Sequence, residues 1–231
     1  MVWWEASASS AEFGDVAVCG LEEASRSRPP QLNIWKLGEE MQKRPHLVGV
    51  GGTFRPGSTT ECAIRNVLQE AGRSGATTEY YSGQDIAFPV YNPASCDLPE
   101  DAKKLLESIR HSDAVILGSP AYHAGVSGLV KNAIDYLEEL SADAPKYLDG
   151  RAVLCIATGG GWQGGNATLQ ALRSISHSLR GWTTPLGIVI NSSKSVFGEN
   201  GECLSEEVQR NLSIGAQQLM AFCAGFGTSE R

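Results

Sequence analysis

A chain of 231 residues, 42% hydrophobic and 19% charged, is long enough for one good-sized core and has the balance of a globular domain. Its formal net charge of −7 argues against a nucleic-acid binder, which would carry a basic face. No apolar run approaches the length of a membrane span, so no membrane association is expected. The start, Met1-Val2-Trp3-Trp4-Glu5, lacks a basic stretch followed by an apolar one, so no secretory signal is expected. Cys19, Cys62, Cys96, Cys155, Cys203 and Cys223 are scattered, with no C-x-x-C pair and no metal-ligand spacing to a histidine. Free thiols in a reducing cytoplasm, and no metal site, are the expectation.

Residues 1–45 are rich in Ala, Ser, Glu and Arg, are broken by Pro29-Pro30 and show no sustained period. They read as a mostly irregular extension ahead of one domain over 46–231. From His46 onward, apolar runs alternate with helical patterns. His46–Gly51 reads as a strand, and Ala63, Ile64, Val67, Leu68 and Ala71 recur at helical spacing after it. Thr77–Tyr81 is a second strand. A helix begins at Pro99 with Glu100 and Asp101 in its first turn and an apolar face of Ala102, Leu105, Leu106 and Ile109. Ala114–Leu117 is a third strand, followed by a helix through Val130, Ala133, Ile134, Leu137 and Leu140. Ala152–Ala157 is a fourth, followed by a helix through Leu169, Leu172, Ile175 and Leu179. Leu186–Ile190 is a fifth, and a last helix starts near Ser205. Strands buried on both faces and separated by helices make an α/β fold, a five-stranded parallel sheet of order 2-1-3-4-5 with helices on both faces. In that order a ligand sits beyond the strand ends where strands 1 and 3 part. The loops after strands 1, 3 and 4 should therefore converge.

The first of these loops is Gly52-Thr53-Phe54-Arg55-Pro56-Gly57-Ser58-Thr59-Thr60. It nearly completes the nucleotide-hydrolase pattern G-x-x-x-x-G-K-[S/T], but Ser58 stands where the lysine that reaches the β- and γ-phosphates would be. One guanidinium, several hydroxyls and backbone N–H groups suit a terminal monophosphate better than a triphosphate with its metal. The second loop, Gly118 to Gly128, has small residues that let backbone approach a flat ring, with Tyr122 and His123 able to stack or hydrogen-bond. Tyr122 packing at an interface and His123 acting as acid or base, with Asp135 brought near in space, are the other readings. The third loop, Thr158 to Asn166, holds G-x-G-x-x-G at Gly159, Gly161 and Gly164. No acid ends the next strand, so a cofactor edge rather than a pyrophosphate is expected against it. Asn166 reads as the cap of the following helix. A monophosphate pocket beside two ring-hugging backbones fits a phosphorylated planar cofactor, FMN first.

In combination these segments resemble the NADPH-dependent FMN reductase family, which has a flavodoxin-like fold. The first loop resembles its G-[S/T]-x-R-x-x-S-x-T motif. Ser119-Pro120-Ala121-Tyr122-His123 and Ser127–Asp135 resemble its S-P-x-Y-H…S-G-x-[L/V]-K-N-A-[L/I]-D signature, Thr158–Gly161 its glycine stretch, and Pro89-Val90-Tyr91-Asn92 its P-[L/V]-Y-N segment. The match covers roughly residues 46–195. The resemblance implies that Thr53, Arg55, Ser58, Thr59 and Thr60 hold the FMN phosphate. Pro120, Ala121, Tyr122 and His123 then line the isoalloxazine, and Gly159, Gly160 and Gly161 flank its polar edge. It implies a homodimer, often within a homotetramer, packed through the helix from Ser127. Trp162 and residues 1–45 depart from the family pattern.

The activity so implied is hydride transfer from NADPH or NADH to FMN and on to a small-molecule acceptor: free flavin, a quinone, an azo compound or a metal ion. A flavin-dependent monooxygenase receiving reduced flavin is the protein partner implied. FMN does the chemistry, so no catalytic side chain is required. The alternative is a flavodoxin-type electron carrier without NAD(P)H oxidation.

Overall fold

The computed structural model describes residues 44–95 and 97–226. The extension expected over 1–45 lies outside these residues apart from positions 44 and 45, and so do Cys19 and Cys96. Strands β1 (His46–Gly51), β2 (Thr77–Tyr81), β3 (Ala114–Tyr122), β5 (Ala152–Gly159), β6 (Trp182–Thr183) and β7 (Ile188–Asn191) are parallel. They run in the order β2-β1-β3-β5, with β6 and β7 both on the far side of β5. A two-residue strand, β4 (Gly125–Val126), folds back antiparallel on β3. Apart from that hairpin and the division of the last strand, this is the expected order.

The last strand was expected as one run over Leu186–Ile190, and it is two pieces. Pro185 has no N–H to give a ladder. The N–H of Leu186 donates to Gln218 Oε1 at 3.0 Å rather than to β5. The chain leaves the sheet between Thr183 and Ile188 and then rejoins it. Burial on both faces holds for β1, β3 and β5, while the first three residues of edge strand β2 are exposed.

Period-two alternation decides what covers each face. Val48, Val50, Val115, Leu117, Val153 and Cys155 face helices α2 (Glu100–His111), α3 (Gly128–Asp135) and α4 (Trp162–Ser178). Leu47, Ala114, Ile116, Leu154 and Ile156 face α1 (Thr59–Arg73) and α5 (Glu206–Phe226). The apolar stripe after Ser127 continues through α3 into a 3₁₀ turn, Tyr136–Leu140, and all five of its expected core residues are buried. Buried Arg151 clamps the end of α2. It donates to Arg110 O at 2.7 Å and Ser112 O at 3.1 Å, carbonyls left over where the helix stops. Among the described residues, no helix is long and apolar enough to cross a membrane.

Candidate functional site

Because β1 and β3 are neighbours whose helices lie on opposite faces, the turns that follow them part at the carboxyl edge of the sheet and leave a crevice. Strand register brings the other loops to the same edge. Gly51 pairs with Gly118, Pro120 with Thr158, and Gly159 with Asn191. The N–H of Ser192 donates to Gly159 O at 2.8 Å, fixing the segment after β7 against the end of β5. The result is a cavity of about 370 Å³, within the range of small-ligand sites. It is lined by Thr53, Arg55, Ser58, Thr59, Thr60, Pro120, Ala121, Tyr122, Thr158, Gly159, Gly160 and Ser192.

One end of the cavity is the amino terminus of α1. Ser58 caps the helix, its Oγ accepting from Glu61 N–H at 3.3 Å, which leaves the hydroxyl proton free to donate. The first intrahelical bond runs from Cys62 N–H to Ser58 O at 2.9 Å, so the N–H groups of Thr59 and Thr60 lie ahead of it. With the helix dipole they form an anion site. Arg55 is exposed and has no carboxylate partner among the described residues. Thr53 Oγ1 instead braces its own loop, accepting from Arg55 N–H at 3.1 Å. Glu61 opposes the anion site. Its carboxylate takes the Gly57 N–H at 3.1 Å and is balanced by Arg65 at 2.8 Å.

The other end is apolar and glycine-rich. Ser119 Oγ accepts from Ser127 N–H at 2.9 Å and donates to Pro120 O at 2.9 Å, closing the base of the β3–β4 hairpin. The hairpin turns on His123 and Ala124, with φ of 52° and 63°. Two consecutive left-handed residues make the primed turn that matches strand twist, although neither residue is glycine. Tyr122 sits at the cavity mouth, 59% exposed. His123 is exposed and off the cavity, and Asp135 is paired with Lys131 at 2.6 Å, so no carboxylate from α3 is free to orient the imidazole. Gly159 packs so tightly on the hairpin that a Cβ there would stand 3.0 Å from that of Ala121. Tyr91, in the Pro89–Pro93 segment, is tied to α3. Its N–H donates to Asn132 Oδ1 at 2.9 Å and its hydroxyl to Glu139 at 2.8 Å. Burial and the Glu139 carboxylate push the Tyr91 phenol up to about 12.

Of the twelve residues expected at the site, all but His123 and Gly161 line this one cavity. Gly161 is extended (φ −156°) and starts α4. That start lies earlier than Asn166 implied. Asn166 is inside the helix and donates to Trp162 O at 2.9 Å instead of capping it. Thr158 and Ser192 belong to the cavity and were not singled out. Their signal was position alone, a hydroxyl residue at the end of β5 and another just past β7, both at the carboxyl edge. Cys62 and Cys155 are buried free thiols, Cys203 is a half-buried one, and Cys223 is buried.

Comparison with known proteins follows the same outline. The chain matches the family described as NADPH-dependent FMN reductase over residues 45–195. It is 30% identical over 137 residues to an iron-sulfur flavoprotein of Methanocaldococcus jannaschii, an alignment covering 56% of this chain and 68% of that one. It is 30% identical over 162 residues to an FMN-dependent NADPH-azoreductase of Staphylococcus aureus, covering 63% of this chain and 82% of that one. A solved structure of an NADH:FMN oxidoreductase, in its apo form, superposes with a TM-score of 0.60 at 19% identity. That superposition covers 80% of this chain and 91% of the other, a likeness of fold.

Proposed function

The chain belongs to the NADPH-dependent FMN reductase family, and from that membership we propose that its cavity seats FMN with the phosphate on α1 and the ring against the β3–β4 hairpin and Gly159–Gly160. The protein is an oxidoreductase that uses FMN, with NADPH as donor. When bound, FMN supplies the hydride and electron relay between the nicotinamide and an acceptor.

The residues fit that group. Arg55 and the Ser58 hydroxyl, with the N–H groups of Thr59 and Thr60, offer charge and donors to a monophosphate. Pro120 and Ala121 present small apolar surface, and Gly159 and Gly160 present backbone, to a flat ring. Tyr122 borders the open side, where the nicotinamide and then the acceptor have to enter. The single observation that carries this reading is the convergence of all these residues on one cavity at the β1/β3 switch point.

For the acceptor we propose a flat aromatic compound of the azo or quinone kind. Phe54, Tyr122 and Trp162 are each 59% exposed, and each belongs to a different one of the three loops at this edge. Exposed aromatics grouped this way offer faces on which a planar molecule can stack. A homodimer through α3 completes the proposal. It is supported by Val90, 87% exposed on the segment that Asn132 fastens to α3.

Steady NADPH oxidation by purified protein with FMN, accelerated by an azo dye or quinone, is the expected result. FMN binding without sustained NADPH oxidation would identify a carrier instead. Trp162→Ala should raise KM for the dye several-fold and leave FMN affinity alone; an unchanged KM would remove Trp162 from acceptor binding.

A further inference from the structure

Thr60 and Thr158 form a buried pair that the placement of a phosphate and a ring does not use. Their hydroxyl oxygens are 2.6 Å apart, across 98 residues of sequence, and the two residues are only 1% and 4% exposed. Thr60 is the second residue of α1, at the phosphate end. Thr158 immediately precedes Gly159 at the ring end, on β5. Both line the cavity. The Thr60 methyl is turned toward β3, where a Cβ on Gly118 would come within 3.1 Å of it, so its hydroxyl is directed to β5.

Each hydroxyl has one proton and two lone pairs. One proton makes the bond between the two oxygens, and the other is left over. Neither hydroxyl has a second hydrogen-bond partner among the described residues, including the carbonyls of α1. A buried O–H without a partner is costly, and the cavity is the open space both residues border. The pair therefore offers the cavity one donor together with unused lone pairs, where the helix of the anion end meets the strand that leads to the ring end. Ligand chemistry that both accepts and donates at one atom is that of an alcohol. A phosphate oxygen only accepts, and a ring edge has fixed donors and acceptors.

We infer that the Thr60–Thr158 hydroxyl pair reads the hydroxylated linker between the phosphate and the ring of the cofactor. This rests on the FMN reading above, whose ribityl chain is that linker. The phosphate then keeps the Thr60 N–H and loses the Thr60 side chain. A site built to hydrogen-bond a hydroxyl also rejects analogues that lack it, because its own polar group is left unpaired.

The test compares full-length wild type with Thr158→Val, Thr158→Ser and the double variant Thr60→Val/Thr158→Val. Three probes are titrated without turnover: FMN, lumiflavin (the ring without the linker) and inorganic phosphate. Thr158→Val should weaken FMN about tenfold and leave lumiflavin and phosphate unchanged, while Thr158→Ser restores FMN binding. The double variant replaces the pair with two apolar side chains of the same shape, so it should fold as well as wild type and lose no more FMN affinity than Thr158→Val. An unchanged FMN affinity overturns the inference. A parallel loss for lumiflavin or for phosphate also overturns it, by moving the pair to one end or reducing it to a brace between loops. Wild type that binds no FMN overturns the cofactor reading first and this one with it.

Discussion

The two ends of the cavity are built by opposite means. At α1 the chain uses polarity, with a capped helix terminus, an exposed guanidinium and hydroxyls, opposed by the Glu61 carboxylate. At the β3–β4 hairpin it uses shape, with small residues, backbone and a strained two-residue turn that hold Ala121 against Gly159. On the proposed reading, charge is kept at the end that anchors the cofactor. The end proposed to seat the ring has no charged side chain among the described residues that line the cavity. Affinity and reactivity can therefore be altered separately, and variants at each end should show different signatures.

The largest expected effect is at the polar end. Arg55→Ala should weaken FMN by about 1.5–3 kcal/mol, the range of a charge-assisted hydrogen bond. The loss should be absent for a flavin without phosphate. A fluorescence titration that finds equal losses for FMN and riboflavin would erase the distinction between the ends. At the shaped end, Ala124→Gly should stabilise the protein by about 1 kcal/mol, because only a Cβ makes its φ of 63° costly. Denaturant melts read this directly, and a less stable variant would mean the turn is not strained. Glu61→Gln, back at α1, should tighten FMN about two- to threefold by removing a like charge from the anion site. Weaker binding would show that the carboxylate is needed to shape the loop.

The smallest effect comes from beneath both ends. Burial under the sheet pushes the Cys155 thiol up to about 11 from an ordinary 9.0. Its folded-state pKa is raised, so the stability it contributes is intact below pH 9 and is lost as pH climbs through about 11. Cys155→Ala should flatten the fall in melting temperature over that window. An unchanged slope would place the alkaline sensitivity elsewhere.

What could be read from the amino acids differs between the ends in the same way. The polar end is local: nine consecutive residues, Gly52 to Thr60, carry its hydroxyls, its arginine and its helix cap, so its chemistry is visible before any folding. The shaped end depends on partners distant in the chain. His123-Ala124 is not a turn dipeptide by composition, and only the pairing of Tyr122 with Gly125 makes it one, carrying His123 off the cavity. Thr158 acquires a role only when β5 lies beside β3 and α1 reaches across to it. Strand order was legible because apolar runs and helix stripes alternate cleanly. The break in the last strand was foreshadowed by Pro185, but its cause, the side chain of Gln218 on α5, is not local.

That break has a consequence for how copies of the chain can meet. An edge strand of full length is a template on which a second sheet can grow. Here the border beyond β5 is two residues, a gap and four residues, with Pro185 inside the gap. A neighbouring chain laid along it would find no continuous row of amides to zip against. The β6–β7 border is thereby closed to sheet-to-sheet growth, which leaves helical faces as the way in for a partner approaching from that side.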